Sequence, residues 1–273
     1  MYNIGGEGQF IVGGLFGCIL AKVLLRAEHP PPWWIADLGL LLASVLGGAL
    51  WGALAGWLYV RRGVEVVIST ILLNFIALQV LLYAVAGPLQ EAKGQLPLSD
   101  KLPDSLMLPR FNPQTDLHAG IFVAALAVVG LFVWLYFTRS GFCLRVVGEN
   151  PRVARANRIN AEKMRIVAMA VSGGLCGLAG GVEYVGVAGQ LGNSFSQQWG
   201  FLAIPVALLA GLHPLTLLLS ALYFAAILSG SKMMAGFTAE GTVLIYVIQA
   251  VAVLGLVGLN ALRTRRPVAV EVD

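Results

Sequence analysis

Charge is scarce in this chain. Asp, Glu, Lys and Arg together make up 12% of its 273 residues, whereas a soluble domain carries roughly a quarter. Histidine and cysteine are scarcer still, at three each. Cys18, Cys143 and Cys176 are scattered in or beside apolar runs and form no CxxC pair. That spacing argues against a disulfide framework and leaves free thiols as the expectation. His29, His118 and His213 lie near the ends of apolar segments, and no HExxH or His/Cys cluster has metal-ligand spacing. A GxxxxGKS/T phosphate loop and a Gly-x-Ser-x-Gly elbow are both missing. Neither nucleotide hydrolysis nor acyl chemistry has residues to carry it, so no catalytic residue and no metal site is expected.

What the chain has instead is length without polarity. It is 58% hydrophobic, with a mean hydropathy of +0.81, and its apolar residues fall in blocks of about 17–25, the length that crosses ~30 Å of hydrocarbon. The pattern predicts an all-α, polytopic transmembrane bundle, a single transmembrane domain over residues 1–273. Eight apolar segments are expected: Phe10–Leu25, Ala36–Val60, Val64–Ala86, Ala119–Phe137, Ile166–Ala188, Trp199–Leu212, Leu215–Met233 and Gly241–Leu259. The start, YNIGGEGQ, lacks the basic region and cleavage site of a signal peptide. The net charge of +4 points to membrane orientation rather than to nucleic acid, because the basic residues lie mostly between or after spans.

Basic residues in short loops mark the cytoplasmic side. Arg61 and Arg62, the run from Arg139 to Arg165, and the tail from Arg263 to Arg266 are the rich places. All three fall on one face if both termini are cytoplasmic. Residues 139–165 then form a cytoplasmic loop and the polar segment 89–117 an extracytoplasmic one. Lys22 and Arg26 violate this scheme.

Two spans carry small-residue ladders, Gly48/Gly52/Gly56 and Gly173/Gly177/Gly181. Ladders of this kind let helix backbones approach closely in lipid. Because the two spans run in opposite directions, they also raise the expectation of an inverted repeat, an arrangement transporters use around a midplane site. Polar residues inside spans are costly and therefore informative. Asn74 and Glu183 either line a solute path or serve interhelical hydrogen bonding and the interface. Gln249 reads as structural. Glu7 and Gln9 precede the first span, and Glu65 follows the Arg61–Arg62 stop.

The densest charge lies in GENPRVARANRINAEKMR, residues Gly148–Arg165, with five basic and two acidic residues. Asn150–Pro151 is a helix start, since asparagine caps exposed amides and proline fits the first helical position. A helix of two to three turns is expected, with Val153, Ala156 and Ile159 on an apolar face and Arg152, Arg155 and Arg158 on a basic one. Such an element is either a positively charged loop or a helix that docks into a cytoplasmic partner.

Four stretches in order, YNIGGEGQFIVGG, GVEVVISTILLNFIA, LRVVGENPRVARANRINAEKMR with AVSGGLCGLAGGVEYVGV, and WGFLAIPVALLAGLHPL, carry a resemblance that covers most of the chain. The sequence resembles the integral membrane permeases of bacterial ABC importers for simple sugars and nucleosides, more distantly related to branched-chain amino acid permeases. The resemblance implies translocation of a nucleoside or simple sugar across the bacterial inner membrane by alternating access. An ion-driven secondary carrier or a branched-chain amino acid permease is the alternative. It implies a separate ATPase subunit that holds ATP and Mg, a second permease subunit (the same chain or another), and an extracytoplasmic solute-binding lipoprotein. No cofactor is expected on this chain. The family's ATPase-coupling segment maps to Gly148, Glu149, Asn150, Pro151, Ala154 and Arg155. Where relatives carry Ala-Gly, this chain has Asn157–Arg158, which challenges the tight turn expected there. Relatives also carry one or two further spans ahead of the NIGGEGQ segment, so a shortened frame is expected.

Overall fold

The computed structural model describes residues 1–26, 31–92, 94, 96–112, 116–235 and 251. It divides into two compact units, Met1–Phe201 and Leu202–Asp273. The first unit is built on α1 (Gly6–Leu25), α2 (Trp33–Arg62), α3 (Val66–Ala86), α4 (Gly120–Phe137), α5 (Arg139–Glu149), α6 (Pro151–Ala156) and α7 (Ala161–Glu183). A π-helical turn, Tyr184–Ala188, extends α7. Helices α8 (Trp199–Leu209) and α9 (Pro214–Ala235) come next. No regular strand occurs among the described residues, as hydrocarbon requires of a helical protein whose backbone must satisfy itself.

Among the described residues, five helices are long and apolar enough to cross a membrane: α1, α2, α3, α4 and α7 with its π-turn. The sequence reading of two further separate spans at Trp199–Leu212 and Leu215–Met233 is corrected. Helix α8 has 11 residues, and at 1.5 Å per residue it is about half a bilayer long. It is bent by 120° against Pro214–Gly230 of α9, so the pair makes at most one crossing, which gives up to six among the described residues. Gly211 and Leu212 both adopt left-handed φ values, 62° and 58°, at the break, and Ser220 Oγ donates to Val206 O at 2.7 Å across it. The eighth expected span, Gly241–Leu259, and Gln249 within it lie outside the described residues apart from position 251.

The glycine ladders are the seam of the first unit. Ideal Cβ atoms on Gly48 and Gly173 would each overlap the other residue's carbonyl oxygen, and one on Gly52 would overlap Met169 O. Gly177 meets Ser44 O and Gly48 on α2, and its own Cα stands where a Cβ on Gly13 of α1 would be. Positions 44, 48 and 52 on α2 thus meet 177, 173 and 169 on α7, an antiparallel pairing in register. Helix α1 runs parallel to α7, with Gly6 against Cys176, Phe10 on Gly180 and Gly17 against Tyr184. Around this seam pack Leu15, Leu40, Leu81, Tyr184 and Phe195. Helix α4 buries only Gly120, which leaves its apolar surface for lipid or a partner.

One end of the bundle, the loop end, is covered by the described residues of the segment 87–119. The cover is fastened to the π-turn and to the residues just beyond it. Leu108 N donates to Val185 O at 2.9 Å, Leu102 N to Gly189 O at 2.7 Å, and Ser99 N to Leu191 O at 2.9 Å. Ser99 Oγ returns the last bond by accepting from Leu191 N at 2.8 Å. Lys22, anomalous by its sequence position, belongs to this fastening. Its ammonium donates to Pro88 O at 3.1 Å and lies 3.6 Å from the Asp100 carboxylate. A local counter-charge therefore outweighs the topological bias there. The opposite, elbow end carries α5 and α6 and the Arg61–Arg62 terminus of α2, where Arg165 stacks over Tyr59 at 5.4 Å.

Two outcomes test this fold. Gly177→Ala is expected to cost about 1–3 kcal/mol through overpacking, and Gly177→Leu to abolish assembly, read as loss of monodisperse protein and of thermal stability in detergent. The second concerns His118, which sits against Gly120 and Gly186 with Nδ1 accepting from Gly120 N at 3.0 Å. Burial, and then the nearby Arg110, push its pKa below the ordinary 6.5. The folded state therefore holds fewer protons than the unfolded one in this range. The stabilisation from His118 is complete above pH 6.5 and is lost as pH falls through the lowered value. Proteolysis of residues 87–119 should accelerate on acidification to about pH 5, and His118→Gln should flatten that dependence.

Candidate functional site

Helix α1 does not begin at the end of the bundle. Its first turn lies against Asn74, near the midpoint of α3, and the segment before it reaches Ser172, near the midpoint of α7. The sequence reading that starts this span at Phe10 is corrected: the helix starts at Gly6, and Glu7 and Gln9 are 6% and 1% exposed. A helix start inside a membrane leaves backbone N–H groups without partners, and each would cost several kcal/mol in hydrocarbon. Side chains from α3 and from the preceding segment supply partners there.

Asn74 caps α1 from the neighbouring helix. Its Oδ1 accepts from Gly8 N at 2.8 Å and its Nδ2 donates to Ile4 O at 3.0 Å. Asn3 turns the chain into α1 by accepting from Gly5 N at 2.9 Å. Its Nδ2 donates to Gln9 Oε1 and to Ser172 Oγ, both at 2.8 Å, and Gln9 Nε2 returns a 3.2 Å bond to Asn3 Oδ1. Glu7 accepts at 2.7 Å from Gly200 N, in the first turn of α8. A carboxylate suits both helix starts, since each presents the positive end of its dipole. Gly200 is packed so tightly on Gly6 and Glu7 that a Cβ there would overlap the Glu7 amide.

Of the residues read from sequence, the structure brings Asn74 into this cluster. It places Glu183 elsewhere, half-buried where α7 passes into the π-turn at the loop end. Asn3, Ser172 and Gly200 are functional candidates that the span reading missed, and Glu7 and Gln9, which it set ahead of the first span, lie inside α1. The available signal was the polar GEGQ run directly before an apolar segment, together with the Asn74 interruption. Thr70 is satisfied within α3, donating to Val66 O at 2.7 Å.

The second cluster is the elbow. Gly148 and Glu149 end α5, and both are exposed. Asn150 Oδ1 accepts from Arg152 N and Val153 N at 2.9 and 3.3 Å, and Pro151 occupies the first turn of α6. The cap and proline thus stand as their residue types dictate. Two expectations are corrected. Helix α6 has six residues, less than two turns, and its inward contact is Ala154, fully buried with Val147 and Ala161 and flanked by Ile159 and Met164. Val153 is 48% exposed, and Ala156 and Arg155 also face out.

The reason is the stop after α6. Arg158 adopts φ 60°, Ile159 N donates to Ala154 O at 2.9 Å, and Arg158 N donates to Arg155 O at 3.0 Å. This is a Schellman closure with arginine where glycine is usual. Asn157 Nδ2 adds a 2.9 Å bond to Val153 O. Asn157–Arg158 therefore makes the tight turn that its composition put in question, and the turn draws Ile159 onto Ala154.

Comparison with known proteins agrees with this architecture. Residues 1–256 match the family described as branched-chain amino acid transport system / permease component. The glucose ABC transporter permease protein TsgB13 of Haloferax volcanii is 31% identical over 268 residues, 94% of this chain and 69% of that protein. The guanosine ABC transporter permease protein NupP of Bacillus subtilis is 35% identical over 217 residues, 77% of this chain and 60% of that one. The nucleoside ABC transporter permease protein NupB of Lactococcus lactis is 30% identical over 254 residues, 88% and 67%. The chain thus spans 60% to 69% of the length of these relatives. No solved structure matches. By its match along nearly its whole length, and by its bundle of apolar helices, the chain is a multi-pass membrane protein that belongs to the family of branched-chain amino acid transport system permease components.

Proposed function

We propose that this chain is the membrane-spanning subunit of an ATP-binding cassette importer for a nucleoside or simple sugar. A separate ATPase subunit, carrying ATP and Mg, docks at the elbow end, which faces the cytoplasm. A solute-binding lipoprotein delivers solute at the loop end, and a second permease chain completes the path. The relatives named for glucose, guanosine and nucleosides favour these solutes over amino acids, and favour an ABC system over an ion-driven carrier.

The observation that carries the reading is the stiffness of the elbow. Helix α6 is capped at one end by Asn150, closed at the other by Arg158 and Ile159, and riveted by Ala154 to Val147 and Ala161. Force applied to its exposed side passes to α7 without being absorbed by a floppy loop. Helix α7 carries the glycine seam and Ser172, so it connects the elbow to the mid-bundle cluster. In this mechanism Gly148, Glu149, Asn150 and Pro151 form the rigid entry to the docking helix, Ala154 transmits, and Arg155 contacts the ATPase. Asn74 serves the path by holding its mid-depth start, and Glu183 serves it at the mouth.

Reconstituted vesicles provide the primary test: uptake must need ATP and the ATPase subunit, and transport driven by an ion gradient alone would sink the proposal. Arg155→Glu, at an exposed position, is expected to lower ATP-driven uptake roughly tenfold through like-charge or lost contact at the interface while yield stays normal. Normal uptake would reduce the elbow to an orienting loop. Asn74→Ala is expected to cost about 1–3 kcal/mol by orphaning the Gly8 amide and Ile4 carbonyl, with solute preference unchanged in the protein that folds. A changed preference in stable protein would instead make Asn74 a solute contact.

A further inference from the structure

Between the π-turn and α8 the chain travels without helical structure through a depth where its neighbours are all helical. Residues 189–198 leave the loop end, where Gly189 O and Leu191 O are held by Leu102 N and Ser99 N. They descend beside α1, with the Phe195 ring 5.3 Å from that of Phe10 and packed on Gly14. They arrive at Gly200, level with Glu7 and therefore with Asn74. Irregular backbone at membrane depth is tolerated only where protein covers it or water lines it. Phe195 and Ser196 are buried, whereas Asn193, Ser194, Gln197 and Gln198 are exposed. Neither the side chains of these four nor the amides of Gln197 and Gln198 have a hydrogen-bond partner among the described residues. Facing hydrocarbon, each such group would cost several kcal/mol.

We infer that residues 189–198 form a wall of the translocation path, with Gln197 and Gln198 as its mid-depth, selectivity-determining positions for a neutral solute rich in hydroxyl or amide groups. This rests on the permease reading above and extends it to named positions. Polarity at mid-depth marks a solute or water route, and here the polarity is of one kind. Amide and hydroxyl side chains offer both donors and acceptors and no charge. The one acid at this level among the described residues of this unit, Glu7, is buried and bonded to Gly200 N. Among the described residues of this unit, a zwitterion or a phosphorylated solute would find no exposed counter-charge at that depth. The hydroxyls and ring amides of a nucleoside or sugar would find matching partners.

Cysteine accessibility in the assembled transporter tests this directly. Gln197→Cys and Gln198→Cys are made separately with Cys143→Ser, and treated from the loop side with a membrane-impermeant methanethiosulfonate. Leu42→Cys, on the exposed apolar face of α2, is the lipid-facing control. Both glutamine positions should react at least ~10-fold faster than the control, as water access requires. Neutral nucleosides or pentoses should slow that reaction, and leucine and nucleoside monophosphates should not. Rates no faster than the control, which would place the segment against lipid or a second permease chain, overturn the inference. Protection by leucine or a monophosphate overturns its neutral-solute part. Labelling needs no ATP, so an ATP-independent uptake would refute the ABC reading while leaving this result standing. Should the cysteine variants fail to assemble, Gln198→Gly suits the left-handed backbone at φ 63°. It is expected to reorder uptake preference among nucleosides and pentoses, and an unchanged order overturns the inference.

Discussion

Three helix backbones come together at Gly177. Ser44 O and Gly48 press on it from α2, and Gly13 approaches from α1. In lipid there is no hydrophobic force to hold helices together, so close backbone contact and dispersion must do it. That contact exists only because no Cβ is present on any of the opposed glycines. Everything else in the first unit takes its position from the seam. It sets the parallel alignment of α1 with α7, which brings Asn3 within 2.8 Å of Ser172. It also sets how far α1 descends, and hence that its first turn ends against Asn74 rather than at the bundle's end.

The polar cluster is the counterpart of that constraint. Once the seam has drawn the start of α1 into the bundle's interior, its free amides must be satisfied there. Asn74 and Asn3 do so from α3 and from the preceding segment. Glu7 then satisfies the start of α8 in turn. Tight apolar packing and mid-depth polarity, which look like opposed tendencies, are here cause and consequence. The elbow obeys a local version of the same logic, in which Asn150 and Arg158 close both ends of a six-residue helix that could not hold itself together alone.

What could be read from the chain in advance depends on the range of the interaction concerned. The long apolar helices, the ladder glycines and the Asn150–Pro151 start were legible because each depends on residues within a few turns. The burial of Glu7 was not, because its partner amide at Gly200 lies 193 positions away. For the same reason hydropathy set the first span's start at Phe10, four residues late. Lys22 looked misplaced until Asp100 was found beside it. The inward face of α6 was misread as Val153, Ala156 and Ile159, since helical periodicity assumes a helix that continues. The Schellman turn ends it and brings Ile159 onto Ala154. The apolar run after Trp199 gave no sign of its 120° bend, which left-handed backbone at Gly211 and Leu212 produces.

The dependence of α1 on distant partners also bears on how the protein is made. A helix whose first turn is capped by Asn74 and whose lead-in is tied to Ser172 lacks both partners when it leaves the ribosome. Contacts this remote in sequence form late, after the chain closure they require. During synthesis Glu7 and Gln9 therefore remain at a watery surface or within the insertion machinery until α3 and α7 arrive. Helix α1, though it precedes its partners along the chain, is in this sense among the last of these helices to reach its final depth.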